Sequence, residues 1–544
     1  MKSYKLLLPF IFFISLIQAQ VTNEGKPQSF NLKQKATVDP IKMPEFDLKK
    51  IQEEDKINDQ DRAKPWRFGY EFSVDYGMKN SGVWDEIPGK GRIWRVLIES
   101  KGAKTLNFVF NKYKVPTGAT VYLYNDDKTD LLGAYTNVFN RPDEMLGTWM
   151  VDGDKVWIEY FEPNAVRGQG NLNLSKVVHG YRSVTNAEVM AKALNSSGDC
   201  NQDVDCPVGS DFDAIKDELK RAVGFIILNG FVCSGTLINN TNNDGAPYFL
   251  TANHCDEGSH STWAFRFNWI SPNPSCATVA NSTDAAVNQT TSGATVLAAN
   301  SKSDMKLLRL DGGLDESWDL EWAGWDRSDN TPSFVVGIHH PSGDIMKVCR
   351  ENDAPTKTAI SFNGNPSTEM WRIADWDLGV TEGGSSGSAI FDPSGRIVGQ
   401  LAGGAAACQG TNDNNQFDVY GRFNISWDFG TTDATRLSNW LDPANTGQTT
   451  LDRLSQVLSV EDNLLKEGIR LFPNPVEEEL TVINSSGNPI QYKVFNLLGQ
   501  LVNAGKDDLE RFPINVANNK SGMYFITIED MVTKGKISQK IIIK

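Results

Sequence analysis

The chain has 544 residues, a formal net charge of −15 and an ordinary globular composition, with 40% hydrophobic and 22% charged residues. That length exceeds a single core and calls for about three or four domains, while the composition excludes collagen-like and wholly disordered classes. The negative charge excludes nucleic acid as the main partner, because nothing would offset phosphate repulsion.

Residues 1–19 run from Lys2 and Lys5 through an apolar stretch, Leu6 to Ile17, to the small residue Ala19. This is the order of a secretory signal peptide, and the apolar run is too short to cross a bilayer. No later stretch is apolar enough for a transmembrane segment, so the mature protein is expected to be exported and soluble, or attached by some other means. Residues 20 to about 60 are polar without sustained periodicity and read as a mobile leader.

From Trp66 to Pro163, alternating stretches such as RIWRVLIES, TLNFVFNKY and KVWIEYF are separated by Gly, Asp and Pro turns. They predict a small all-β domain whose aromatics form its core. Residues 193–445 again read as short strands, VGFIILNG, CSGTLINN, PYFLTANHC, MKLLRL, SFVVGIHH and RIVGQLAGG among them. Two packed β-barrels fit that length. ATRLSNWLDP predicts one closing helix stopped by Pro443. After a linker over 446–468, residues 469–544 form a last compact β-sandwich. The expected fold class is therefore all-β throughout.

All seven cysteines, Cys200, Cys206, Cys233, Cys255, Cys276, Cys349 and Cys408, fall in the central region. In an exported protein they read as disulfides. The five histidines are His179, His254, His260, His339 and His340. His339 and His340 lack a third spaced ligand, so neither a metal nor another cofactor is expected.

The stretch TEGGSSGSAIF, residues 381–391, admits two registers. Gly383-x-Ser385-x-Gly387 matches a nucleophile elbow, which requires a histidine further along the chain. None follows His340, so that register fails on its own requirement. The other register makes Ser386 the nucleophile in the order His, Asp, Ser, with His254 and Asp304 upstream. His254 would take the proton of Ser386, and Asp304 would fix the imidazole. The amides of Gly384 and Ser386 would face the developing oxyanion, each worth about 3 kcal/mol. Gly387 would leave room for the substrate chain.

Residues 193–445 resemble bacterial lysyl endopeptidases of the trypsin-like serine protease superfamily. The segments that carry the resemblance are CNQDVDCP, RAVGFIILNGFVCSGTLINNT, YFLTANHC, SDMKLLRL, WAGWDR, IHHP, VTEGGSSGS, VGQLAGGAAAC and DVYGR, in family order. The resemblance implies a chymotrypsin-like double β-barrel with the triad His254, Asp304 and Ser386. It also implies the disulfides Cys200 with Cys408, Cys206 with Cys276 and Cys233 with Cys255, leaving Cys349 over. Trypsin has an acid at the pocket base where this chain has Val380; in the lysyl endopeptidase family the acid precedes Tyr-Gly-Arg, here Asp418. A carboxylate there implies Lys at P1, with Arg or mixed basic specificity as the alternative. Ala402 departs from the histidine often found at its position in the family.

Residues 469–544, through LFPNPVEEELTV, VFNLLGQLV and SGMYFITI, resemble the C-terminal sorting domain of type IX secretion. That implies export across the outer membrane by the secretion machinery, then removal of the domain with release or surface attachment; protein or peptide substrates are the other expected partners, and a monomer is expected. Residues 20–192 then read as a propeptide, with Lys192 as a self-cleavage site. Ser385 stands where trypsin keeps its activation aspartate, so activation by a new N-terminal salt bridge is not expected, and removal of a steric block is. The rival reading is a noncatalytic, surface-displayed binding protein on a protease fold.

Overall fold

The computed structural model describes residues 25–61, 64–182, 194–284, 289–361, 364, 366–455, 468–496, 501–517, 519–532 and 536–544. The expected signal peptide, 1–19, and Lys192 lie outside them. The chain forms two compact units, the first ending at Leu454.

The N-terminal part of the first unit is built on two sheets. One has the order Ile41–Lys42, Gly91–Glu99, Lys155–Pro163, Thr120–Asn125, Leu131–Tyr135, and the other Val151–Asp152, Thr105–Lys114, Asn171–Gly180, Gly69–Gly77. Trp94, Phe108, Tyr113, Trp149 and Tyr160 are buried between them, so these aromatics are core.

The leader expectation needs correction. Residues Leu48–Asn58 form an α-helix whose first turn is capped by the Asp47 side chain. The helix is held by charge at long range rather than by an apolar face. Asp55, buried on it, pairs with Arg67 and Arg182 and accepts a hydrogen bond from Tyr181 Oη. Leaving that carboxylate unpaired would be costly, and its partners lie too far along the chain to be visible locally.

The central part contains the two sheets of the expected double-barrel arrangement. The first runs Gln289–Ser292, Ala264–Phe267, Val223–Leu228, Phe231–Leu237, Tyr248–Ala252, Met305–Leu310, Ala294–Asn300. The second includes Lys347–Glu351, Val335–His339, Ala389–Phe391, Arg396–Gly404, Asp418–Arg422 and Thr368–Ile373 in that order. One core spans both, with Phe249, Phe265 and Leu307 from the first and Val336, Phe391 and Ile397 from the second. Burying so many large apolar side chains, each worth about 1.5–3 kcal/mol, fixes the two sheets against each other.

The first of these sheets also shares a core with the N-terminal part. Phe225, Ile227 and Trp269 belong to the same buried cluster as Trp149. Trp149 meets Phe225 and Trp269 edge-on, with ring centroids 5.2 and 5.9 Å apart. The guanidinium of Arg266 lies over both tryptophans. Trp66–Arg67 extends the same sheet by pairing antiparallel with Phe231–Val232.

Two local expectations also differ. The stretch ATRLSNWLDP is not one helix but a 3-10 turn, Asp433–Thr435, and a short helix, Ser438–Leu441. Arg436 is extended, and the amide of the buried Leu437 donates to Ser426 O, a carbonyl outside the helix. Packing also continues past residue 445. Thr450–Leu451 pairs with Trp325–Asp326, and Asn239 donates to Asp452 O.

Cys200–Cys408, Cys206–Cys276 and Cys233–Cys255 are disulfide-bonded, and Cys349 is a buried free thiol. Closing loops of this length contributes about 3–5 kcal/mol each in the chain-entropy picture.

The second unit is all-β as well. Ile469–Phe472, Glu479–Asn484 and Arg511–Asn515 form one sheet; Leu501–Asp507, Ile490–Asn496, Gly522–Asp530 and Lys536–Ile543 form the other. Alternate residues Leu480 and Val482, Tyr524, Ile526 and Ile528 face its core, as the period-2 pattern demands.

Candidate active site

His254 leaves the end of strand Tyr248–Ala252, and Asp304 leads into strand Met305–Leu310, which pairs with it antiparallel. The pairing ends at Ala252 opposite Met305, so the next residues of each strand emerge side by side. The Asp304 carboxylate clamps His254 at two points. Oδ1 accepts the His254 backbone amide at 2.8 Å, and Oδ2 lies 2.6 Å from ring Nδ1. An Nδ1–H donated to the carboxylate leaves the lone pair on Nε2, the form a general base needs.

Asp304 is buried and has φ 54°, in the left-handed region that a non-glycine residue adopts only when its surroundings hold it there. Burial pushes its carboxyl above the usual range, against the opposing pull of the His254 ring and amide. On the other side of His254, Cys255 is tied to Cys233, bracing the loop that carries the imidazole.

The serine turn reaches this pair from the second sheet. Gly384 and Gly387 have φ of 96° and 83°, conformations suited to glycine. Gly387 corrects an expectation, because the space beside it is filled by protein rather than kept for substrate. A Cβ there would lie 2.1 Å from Thr251 Oγ1 and 2.5 Å from Ala252 N. Its lack of a side chain lets the turn press against the strand that delivers His254. Ser386 is 5% exposed; its carbonyl accepts the Ser234 amide at 2.9 Å and lies 3.8 Å from Cys255 Sγ. Gly384 O accepts from Ser234 Oγ at 2.9 Å. Strand Phe231–Leu237 thus ties the serine turn to the histidine loop.

Ser385, between the two expected oxyanion donors, faces inward. Its Oγ lies 2.8 Å from His339 Nδ1 and accepts the Glu382 amide at 3.1 Å. His340 Nδ1 lies 2.9 Å from Asp344 O. Both histidines are fully buried, and burial drives each pKa down to about 3, so both are neutral at ordinary pH. Among the described residues no three His, Cys, Asp or Glu side chains are grouped to hold a metal.

Asp418 opens strand Asp418–Arg422 and is 1% exposed. Its Oδ2 accepts from Trp376 Nε1 and Thr381 Oγ1, both at 2.7 Å. Thr381 lies in the same loop as Ser386, so one loop supports both. Any side chain at Gly404 would meet Asp418 Oδ1 at 2.0 Å. Val380 packs in the core with Trp376 and Tyr420, and Ala402 in a small cluster with Met370 and Val419. Sequence reasoning missed Trp376, Thr381 and Glu382 as supports of the site. Only the nearness of Thr381 and Glu382 to the GGSSG turn hinted at them.

These two sheets and the loops between them define an all-β domain that carries the candidate site. Residues 194–421 match the family model described as lysyl endopeptidase, C-terminal domain, and residues 470–544 match the secretion system C-terminal sorting domain. The chain therefore carries a lysyl endopeptidase C-terminal domain followed by a type IX sorting domain. Lysyl endopeptidase of Pseudomonas aeruginosa is 27% identical over 361 residues, covering 62% of this chain and 74% of that protein. By this relationship the protein is a protease-type hydrolase, and its sorting domain directs it to the cell surface or beyond. No helix among the described residues is long and apolar enough to cross a membrane.

Among solved structures, an inactive serine-to-alanine mutant of Rv3671c from M. tuberculosis is 16% identical, with TM-score 0.26, covering 38% of this chain and 84% of that one. PorZ, a surface component of the type IX secretion system of Porphyromonas gingivalis, is 14% identical, with TM-score 0.14, covering 36% and 24%. At such scores neither likeness bears on the fold.

Proposed function

We propose that the protein is a secreted serine endopeptidase that cleaves after lysine through an acyl-enzyme. The observation that carries this reading is the 2.6 Å contact of His254 Nδ1 with Asp304, beside a serine turn that Gly387 packs onto the same strand end. Ser386 Oγ attacks the scissile carbonyl carbon while His254 Nε2 takes its proton. The tetrahedral oxyanion is met by the amides of Gly384 and Ser386. Its collapse breaks the C–N bond, and the imidazolium returns the proton to the leaving amine. Water then hydrolyses the ester by the same route.

Asp418 is the partner for the substrate ammonium. Trp376 and Thr381 hold its carboxylate in place, so the charge is set before the substrate arrives. Residues 20–192 act as a propeptide. The ring of Trp66 supports a steric role, because a Cβ on Gly383, three residues before Ser386, would lie 2.6 Å from Trp66 Cδ1. Cutting near Lys192, followed by departure of that ring, would uncover the cleft.

A fluorophosphonate probe tests the nucleophile. One phosphonyl group is expected on the peptide containing Ser386, and none on the corresponding peptide of Ser386→Ala. A stable adduct on any other serine, or none on a protein that hydrolyses peptides, would contradict the assignment.

A further inference from the structure

The residues that follow the expected maturation site are bound to the serine turn by side chains that the proposed mechanism does not use. Asp344 accepts the Asn195 amide at 2.6 Å, and its other oxygen accepts from Ser197 N and Ser197 Oγ at 3.2 and 2.6 Å. Ser196 Oγ donates to Ser342 O at 2.8 Å. Ser342 then reaches the serine turn itself, its amide donating to Gly383 O and its Oγ to Glu382 Oε2 at 3.3 Å.

Glu382 is where these contacts converge. Its carboxylate takes the Gly198 amide, at 3.1 Å on Oε2 and 3.3 Å on Oε1. Its backbone closes the turn that presents Ser386: the amide donates to Ser385 Oγ at 3.1 Å, and the carbonyl accepts the Ser385 amide at 3.0 Å. Ser385 Oγ, accepting that amide, has its own proton to give to His339 Nδ1. Two residues beyond Gly198, the Cys200–Cys408 disulfide anchors the segment covalently.

We propose that Glu382 is a positioning residue for Ser386, and that Asn195–Gly198 is a brace which acts on the serine turn through its carboxylate. The proposal rests on the reading of Ser386 as nucleophile. A buried serine stands at position 385, where trypsin keeps an aspartate for a newly made terminal ammonium. Here the brace uses internal backbone amides, which exist whether or not the chain has been cut. Its contacts are made in the intact chain. Maturation therefore has to uncover the cleft and does not have to build the turn.

The test compares Glu382→Ala and Glu382→Gln, each expressed as the full chain and matured to the same N-terminus as wild type before assay, with active sites counted by fluorophosphonate labelling taken to completion. Loosening the turn misplaces Ser386 and its neighbouring amides, so Glu382→Ala is expected to lower kcat per labelled site by about 100-fold. KM should stay within about twofold, because the brace does not touch the substrate side chain. The rate of phosphonylation should fall in parallel with kcat. Glu382→Gln, which keeps an oxygen for the Gly198 amide, should recover most of both rates.

Wild-type kcat in Glu382→Ala, a loss confined to KM, or a glutamine variant as impaired as the alanine one would overturn the proposal. If Glu382→Ala does not fold, Glu382→Asp carries the test, since it draws the carboxylate back from Gly198 and should show the same loss in kcat. Wild type and Ser386→Ala run alongside. Equal activity in those two removes the nucleophile and this proposal together, whereas Ser386-dependent activity with an unimpaired Glu382→Ala removes this proposal alone.

Discussion

Ser386→Ala is expected to lower kcat for peptide hydrolysis by about a millionfold, leaving only what oriented binding and the oxyanion donors supply. The size of the effect follows from the geometry around His254. Asp304 holds the ring by Nδ1, so the imidazole has one nitrogen with which to act as base. Its proton donor must come from the serine turn, which Gly387 brings against Thr251 and Ala252. Ser385 is committed to His339 and Glu382, so it is not available to substitute. Steady-state hydrolysis of a lysyl peptide, with thermal unfolding measured on the same preparation, checks this. Residual activity within about tenfold of wild type would exclude Ser386 as nucleophile.

Asp418→Asn should change specificity more than stability. The substitution is nearly isosteric, and the new amide oxygen can still accept from Trp376 and Thr381. What is lost is the negative charge that the proposal sets against the substrate ammonium. Leaving a buried ammonium unpaired costs about 3–5 kcal/mol, so kcat/KM for lysyl substrates should fall roughly 10²- to 10⁴-fold. Slow cleavage after neutral P1 residues should persist, because the triad is untouched. Parallel assays on lysyl, arginyl and norleucyl peptides measure this. An equal loss on all three would mean that Asp418 supports the fold of the loop rather than the choice of substrate.

Much of the candidate site was legible because its signals are local. PYFLTANHC and SDMKLLRL each put a reactive side chain at one end of an apolar strand, and GGSSG contains the glycines that a sharp turn needs. Chain order then selected among the serines. The all-β class was legible for the same reason, since alternation and turn residues are read over short windows.

What was missed depends on partners far apart in sequence. The helix Leu48–Asn58 looked like a mobile leader because its anchor, Asp55, is paired with Arg67 and Arg182. Nothing near Trp149 indicates that it packs on Phe225 and Trp269. Gly387 reads as a residue making room for substrate until strand Tyr248–Ala252 is found beside it. Likewise, Glu382 is an unremarkable acid in VTEGG until Gly198 and Ser342 arrive at its carboxylate.

The most direct measurement is a map of the bonds the matured enzyme cuts in a denatured protein mixture, read by mass spectrometry. The expected result is cleavage concentrated after lysine, absent from a parallel digest with Ser386→Ala. Cleavage shared equally between lysine and arginine would contradict the role given to Asp418, and an identical map from Ser386→Ala would contradict the serine protease reading itself.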